Sequence, residues 1–145
     1  MQFLSSGFAG PWLFLSAALA LHVVDEAATG FLAIYNPTIL AVRERHPWFP
    51  MPTFTFPVWL AGLLAASVLS FALTPFAASN ARWLRPLAWL VVAIQLSNAM
   101  GHFAGTILGR TVAKVRFRRP APGFYSSPFL LIGSVWLALR LWNTA

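Results

Sequence analysis

The sequence predicts an all-α fold: a polytopic membrane protein built as a four-helix transmembrane bundle, with residues 1–145 forming a single integral membrane domain. Three observations carry this. Hydrophobic residues make up 59% of the chain and charged residues 9%, against about 25% charged in a soluble domain. Mean hydropathy is +0.71. The apolar residues fall into four long runs separated by proline and basic residues, the pattern of membrane spans and their connections.

The first run extends from about Pro11 to Tyr35, with Pro11 at a favoured first helical position and Asn36-Pro37 as its stop. Ala18-Leu19-Ala20 resembles a signal-peptidase site, but no Lys or Arg precedes the apolar run, so the helix is expected to be retained. Next comes a connection with a short interfacial helix, Thr38 to His46, and a Pro- and aromatic-rich stretch from His46 to Pro52 that reads as a head-group anchor or a lid. The second run spans about Phe56 to Thr74, between Pro57 and Pro75, and the third about Pro86 to Gly109. The Arg110–Arg119 loop that follows holds five basic residues. The fourth run, about Tyr125 to Trp142, starts with Ser127 as N-cap and Pro128 behind it, which makes it short. Trp12, Trp48, Trp83 and Trp142 sit near run ends, as in an aromatic belt.

Charge gives orientation and partners. The net charge is +7. Seven basic residues (Arg43, Arg45, Arg110, Lys114, Arg116, Arg118, Arg119) lie in the two long loops and three (Arg82, Arg85, Arg140) on the other side. The positive-inside rule therefore places the long loops in the cytoplasm and both termini outside. The partners expected are the lipid bilayer and, through the Arg110–Arg119 loop, anionic lipid head groups. Nucleic acid is not expected, because the bases flank a span rather than a soluble module. Without cysteine, disulfides, thiolate metal sites and Cys nucleophiles are excluded.

Two of the three acidic residues stand inside the first run. His22, Asp25 and Glu26 are spaced i, i+3 and i+4, toward one side of a helix. An ionised carboxylate in hydrocarbon is costly unless paired or protonated. The third run carries Gln95, Asn98, His102 and Thr106 in a second polar stripe. Counted from Pro11 and Pro86, His22 matches Asn98 in depth and Glu26 matches His102, so the two stripes are expected to meet. Beside the second stripe, Ser97, Gly101, Gly105 and Gly109 recur every four residues, a series expected to draw the third helix against the first.

His nitrogen and carboxylate oxygen suit a divalent metal (Zn²⁺, Fe²⁺ or Mn²⁺), with His22, Glu26 and His102 as ligands. Glu26, Asp25 and His102 are the candidate catalytic residues, Glu26 as ligand or general base and Asp25 as second carboxylate. Asn98 and Gln95 are candidate cofactor-binding groups, with Tyr125 and Thr106 farther out. An enzyme acting on a small lipophilic substrate is the leading expectation, metal-dependent or acid–base. A proton- or ion-coupled transporter or relay, which with four helices would need a homo-oligomer, and a structural lipid-binding protein are the alternatives.

The motif His22-Val23-Val24-Asp25-Glu26, the downstream Asn98 and His102, and Pro122-Gly123 ahead of the last helix resemble the HXXEE family of small bacterial membrane proteins. The resemblance covers most of the chain, with Asp25 in place of the first Glu. It implies an all-helical integral membrane protein of the bacterial inner (plasma) membrane and brings no activity of its own. The emopamil-binding sterol isomerases, with intramembrane His and carboxylates, are similar in layout by analogy only.

Overall fold

A computed structural model describes residues 7–143. The extreme termini, which the charge pattern assigns to the outer face, lie outside the described residues. The chain is mostly helical: α1 (Ala9–Thr29), α2 (Leu32–Arg45), α3 (Phe56–Ala72), α4 (Thr74–Ala78), α5 (Leu84–Leu108) and α6 (Ser127–Asn143). A short antiparallel hairpin, β1 (Arg110–Val112) with β2 (Val115–Arg116), interrupts the basic loop. Among the described residues two helices, α1 and α5, are long and apolar enough to cross a membrane. The other two candidate spans, α3 and α6, have 17 residues each.

The first helix is shorter than its apolar run. Gly30 adopts a left-handed conformation (φ +77°), and the amides of Gly30 and Phe31 both bond to the Glu26 carbonyl. That is a glycine C-cap, and it stops α1 at Thr29. The Asn36-Pro37 stop expected from sequence is absent: Pro37 lies within α2, which also absorbs the interfacial helix expected from Thr38. Asn36 instead grips the later connection. Its Nδ2 donates to Phe54 O (2.8 Å) and its Oδ1 accepts from Phe54 N (3.0 Å). With Tyr35 Oη donating to Pro52 O (3.0 Å), this straps the Pro-rich stretch along α2.

The core is centred on α6, which packs against both α1 and α5, while α1 also packs on α3 and α4. Phe8, Trp12, Leu84, Leu130, Leu137 and Leu141 fill it. The close approach sits at Gly133 of α6, where a Cβ would stand 3.0 Å from Phe14 and 3.1 Å from Leu15. The expected Ser97/Gly101/Gly105/Gly109 contact does not form. Ser97 and Gly101 are exposed, and a Cβ at Gly101 would meet nothing among the described residues within 4 Å. The reason is that α6 packs against both partners. That separates the backbones of α1 and α5, so they meet through long polar side chains instead.

Buried polar links hold the frame. Ser16 Oγ and Ser70 Oγ are 2.5 Å apart, and Trp12 Nε1 donates to Ser70 O (2.8 Å), tying α1 to α3. Arg85 Nη2 donates to Leu141 O (2.6 Å) at the C-terminal end of α6, where free carbonyls favour a cation.

Candidate metal centre

The site forms where the C-terminal ends of α1 and α5 meet the loop before α6. Glu26 stands in the last turn of α1, and His22 is one turn earlier. His102 precedes the end of α5, where Gly109 (φ +67°) caps the helix. The cluster thus sits nearer the ends of these helices than a first helix running to Tyr35 would place it.

The pairs matched in depth are in contact. Asn98 Nδ2 lies 3.1 Å from His22 Nε2, and His102 Nε2 lies 3.2 Å from Glu26 Oε1. His22 Nε2 is 3.4 Å from the same Glu26 oxygen. The two imidazoles meet edge to face, with centroids 4.8 Å apart. His22, Glu26 and His102 are all buried, and each offers a ligand atom within 4.8 Å of the others. Bonds of about 2.0–2.2 Å to a tetrahedral metal would set such atoms roughly 3.4 Å apart, so two of the three separations already suit one ion.

The hydrogen bonds orient His22. Asp25 Oδ2 accepts from Ser126 N (2.8 Å) and from Ser126 Oγ (2.7 Å). A carboxylate only accepts, so with Asp25 in that form the serine proton points at it. Ser126 Oγ, 2.7 Å from His22 Nδ1, must then accept from that nitrogen. With Nδ1 so engaged, His22 Nε2 turns its lone pair toward the Asn98 amide (3.1 Å) and the cluster, the tautomer a metal ligand needs. The same nitrogen lies beside the Glu26 oxygen, also an acceptor. Two acceptors at this distance repel unless a proton or a cation lies between them. His102 Nε2, although close to Glu26, is not aligned with it and has no hydrogen-bond partner. An unpartnered buried nitrogen is costly in a helix bundle, and a bound ion would satisfy it.

Other expected residues fall elsewhere. Asp25 does not enter the cluster: adjacent residues on a helix diverge by about 100°, so Asp25 and Glu26 cannot aim at one point. Asp25 acts through Ser126 on the far nitrogen of His22. Gln95 is buried one turn before Asn98, and its Oε1 has no hydrogen-bond partner. No hydrogen bond joins it to the cluster. Thr106 Oγ1 accepts from Ala121 N (2.9 Å) and holds the loop, and Tyr125 is exposed.

Two residues that shape the site did not stand out as site residues. Ser126 is the link between Asp25 and His22. Gly123 (φ +78°) lies directly against the cluster: a Cβ there would stand 2.7 Å from His102 Cε1, 2.9 Å from His22 Cε1 and 3.0 Å from Glu26 Cγ. Its amide donates to Thr29 Oγ1 (3.2 Å), which pins the loop over the end of α1. The Pro122-Gly123 pair was a visible signal for this turn; Ser126 had none, since its partners are about a hundred residues away.

Compared with family models, with curated proteins and with solved structures, the chain matches none.

Proposed function

We propose that the chain is a membrane-embedded, four-span helical protein that holds a divalent metal through His22, Glu26 and His102 and acts as an enzyme on a small lipophilic substrate. The observation that carries this is the convergence of three buried ligand atoms within 4.8 Å of one another. Three protein ligands leave a position open, the pattern of a catalytic rather than a structural zinc site. The metal, when bound, would polarise a substrate oxygen or acidify a water. The chain's own contribution is to hold His22 in its ligand tautomer through Ser126 and Asp25 and to close the site with Gly123. Zn²⁺, Fe²⁺ and Mn²⁺ all suit this donor set.

The membrane setting is supported by what the helices leave uncovered. Only 39% of the most apolar stretch of α1 and 28% of that of α5 is buried within the structure. The core helix of a soluble protein would be mostly buried. Val58, Val68 and Leu69 on α3, Leu90 and Ile94 on α5 and Leu139 on α6 all point outward. Apolar faces on this scale ask for lipid. The 17 residues of α3 and α6 reach about 25 Å, slightly short of a ~30 Å hydrocarbon core, which local thinning accommodates. In this reading the long loops face the cytoplasm, and the family resemblance carried by His22 to Glu26 points to a bacterial inner membrane.

The test is elemental analysis of detergent-purified protein beside His22→Ala, His102→Ala and Glu26→Gln. The expected result is about one metal per chain in the parent and loss of metal in each variant. Protein that stays folded, active and metal-free after chelation would overturn the metal. It would leave acid–base chemistry, for which the Asp25–Ser126–His22 chain of hydrogen bonds already supplies a proton path.

A further inference from the structure

Beyond the metal ligands, α5 lines two adjoining spaces of opposite character. Toward its middle, a groove of about 210 Å³ runs over Ser97, Gly101 and Gly105, walled by Phe31, Ile34 and Phe117. His102 and Asn98 form part of its inner wall. His102 is 7% exposed, so the groove leads to the wall of the candidate metal centre. At about 30 Å³ per water-sized group, the space holds roughly seven heavy atoms, a segment of one apolar chain.

Past Phe117, a second cavity of about 450 Å³ opens beside Gly109 at the end of α5, lined by Arg110, Arg116 and Arg119. Arg110 and Arg116 are direct cross-strand partners, which sets two like charges side by side on one face of the hairpin. Like charges so placed repel unless an anion joins them. The chain has three acids to offer. Asp25 is bonded to Ser126, Glu26 stands between the two imidazoles, and Glu44 is paired with Lys114. No hydrogen bond or ion pair to a side chain occupies these three guanidiniums among the described residues. Among the described residues no acidic side chain supplies a counter-charge to them.

We infer that these two spaces form one site for a phosphate-bearing amphiphile with a single apolar chain. Its phosphate sits among Arg110, Arg116 and Arg119, and its chain passes Phe117 along Gly101 and Gly105 toward His102. Guanidinium forks suit phosphate oxygens, and three of them suit a terminal phosphate better than a lone carboxylate. Gly101 and Gly109 are eight residues apart, so about 12 Å of helix separates the apolar floor from the basic end. That order matches an amphiphile standing in a bilayer with its head in the interface. The inference rests on the proposed enzyme only in bringing the chain beside His102; the arginine cavity stands without it.

The test is binding of dodecyl phosphate, dodecanol and inorganic phosphate to the protein in phosphatidylcholine nanodiscs, with empty nanodiscs as blank. Dodecyl phosphate is expected to bind at least about tenfold more tightly than either fragment, since it alone uses both spaces. Arg116→Gln with Arg119→Gln should weaken dodecyl phosphate by about tenfold or more and leave dodecanol unchanged. Gly101→Leu should weaken dodecyl phosphate similarly and leave inorganic phosphate unchanged, because it fills only the groove. Equal affinity for dodecyl phosphate and dodecanol, or no effect of either variant, overturns the site. Loss of dodecyl phosphate binding when phosphatidylglycerol replaces part of the phosphatidylcholine also overturns it, and identifies the arginines as an anchor for bilayer head groups. Metal content is measured on the same samples: metal absent with amphiphile binding intact removes the metal centre alone, and the converse removes the amphiphile site alone.

Discussion

Gly123→Ala drives one methyl group into all three candidate ligands at once. The added carbon would stand 2.7 Å from His102, 2.9 Å from His22 and 3.0 Å from Glu26, closer than non-bonded carbons tolerate. Two costs add. A non-glycine residue at φ +78° costs about 1–2 kcal/mol. Overpacking a filled site costs about 1–3 kcal/mol more. The expected destabilisation is therefore about 2–5 kcal/mol, with metal affinity falling by about tenfold or more as the imidazoles are pushed aside. Gly30→Ala is an internal control. Gly30 has the same left-handed backbone (φ +77°), yet a Cβ there meets nothing among the described residues within 4 Å. It should cost only the backbone term, about 1–2 kcal/mol, and leave metal affinity unchanged. Reversible unfolding in mixed micelles gives the first quantity, and competition with a chromophoric chelator gives the second. Equal costs for the two variants, with equal metal affinity, would refute the placement of Gly123 against the cluster.

Ser126→Ala removes the acceptor for His22 Nδ1 and the hydroxyl's bond to Asp25. It should cost about 1–3 kcal/mol and lower metal affinity about 10–100-fold, while Ser126→Thr restores much of both, as a metal titration can check. Asn36→Ala breaks both bonds to the Phe54 backbone, with an expected loss of about 1–3 kcal/mol and faster proteolysis of the 46–55 connection in a timed digest. The hydrogen bond and charge of Lys114 hold the Glu44 carboxyl below its ordinary 4.5. That contact stabilises the fold above this value and fades as pH falls through the lowered one. Lys114→Gln should return the Glu44 titration upward to its ordinary range in carbon-detected NMR, with stability at neutral pH nearly unchanged because the pair is exposed.

Helix content and the polar residues of the site were legible from the chain itself, because both depend on local periodicity. A run of apolar residues makes a helix wherever its backbone must bond to itself, and α3, α5 and α6 begin and end within a few residues of their apolar runs. Counting rise per residue from Pro11 and Pro86 was enough to pair His22 with Asn98 and Glu26 with His102, since both helices point the same way and the rise is constant. The early end of α1 is also local in origin: Gly30 caps it, six residues before the expected Asn36-Pro37 stop.

What tertiary structure alone decided is everything that depends on rotation about a helix axis and on distant partners. The small-residue series on α5 could have met α1, α6 or nothing; the packing of α6 against both helices, with Gly133 against Leu15, left Gly101 open as a groove floor. Asp25 and Glu26 are neighbours in sequence, yet about 100° of rotation sends one to Ser126 and the other to the imidazoles. Ser126 and Gly123 gained their roles because the loop before α6 folds back over the ends of α1 and α5. No local pattern specifies such a closure, which follows from the packing of α6 and the bond from Gly123 to Thr29. The sequence by itself therefore determined which residues the bundle must shelter, and the tertiary structure determined which of them face one another.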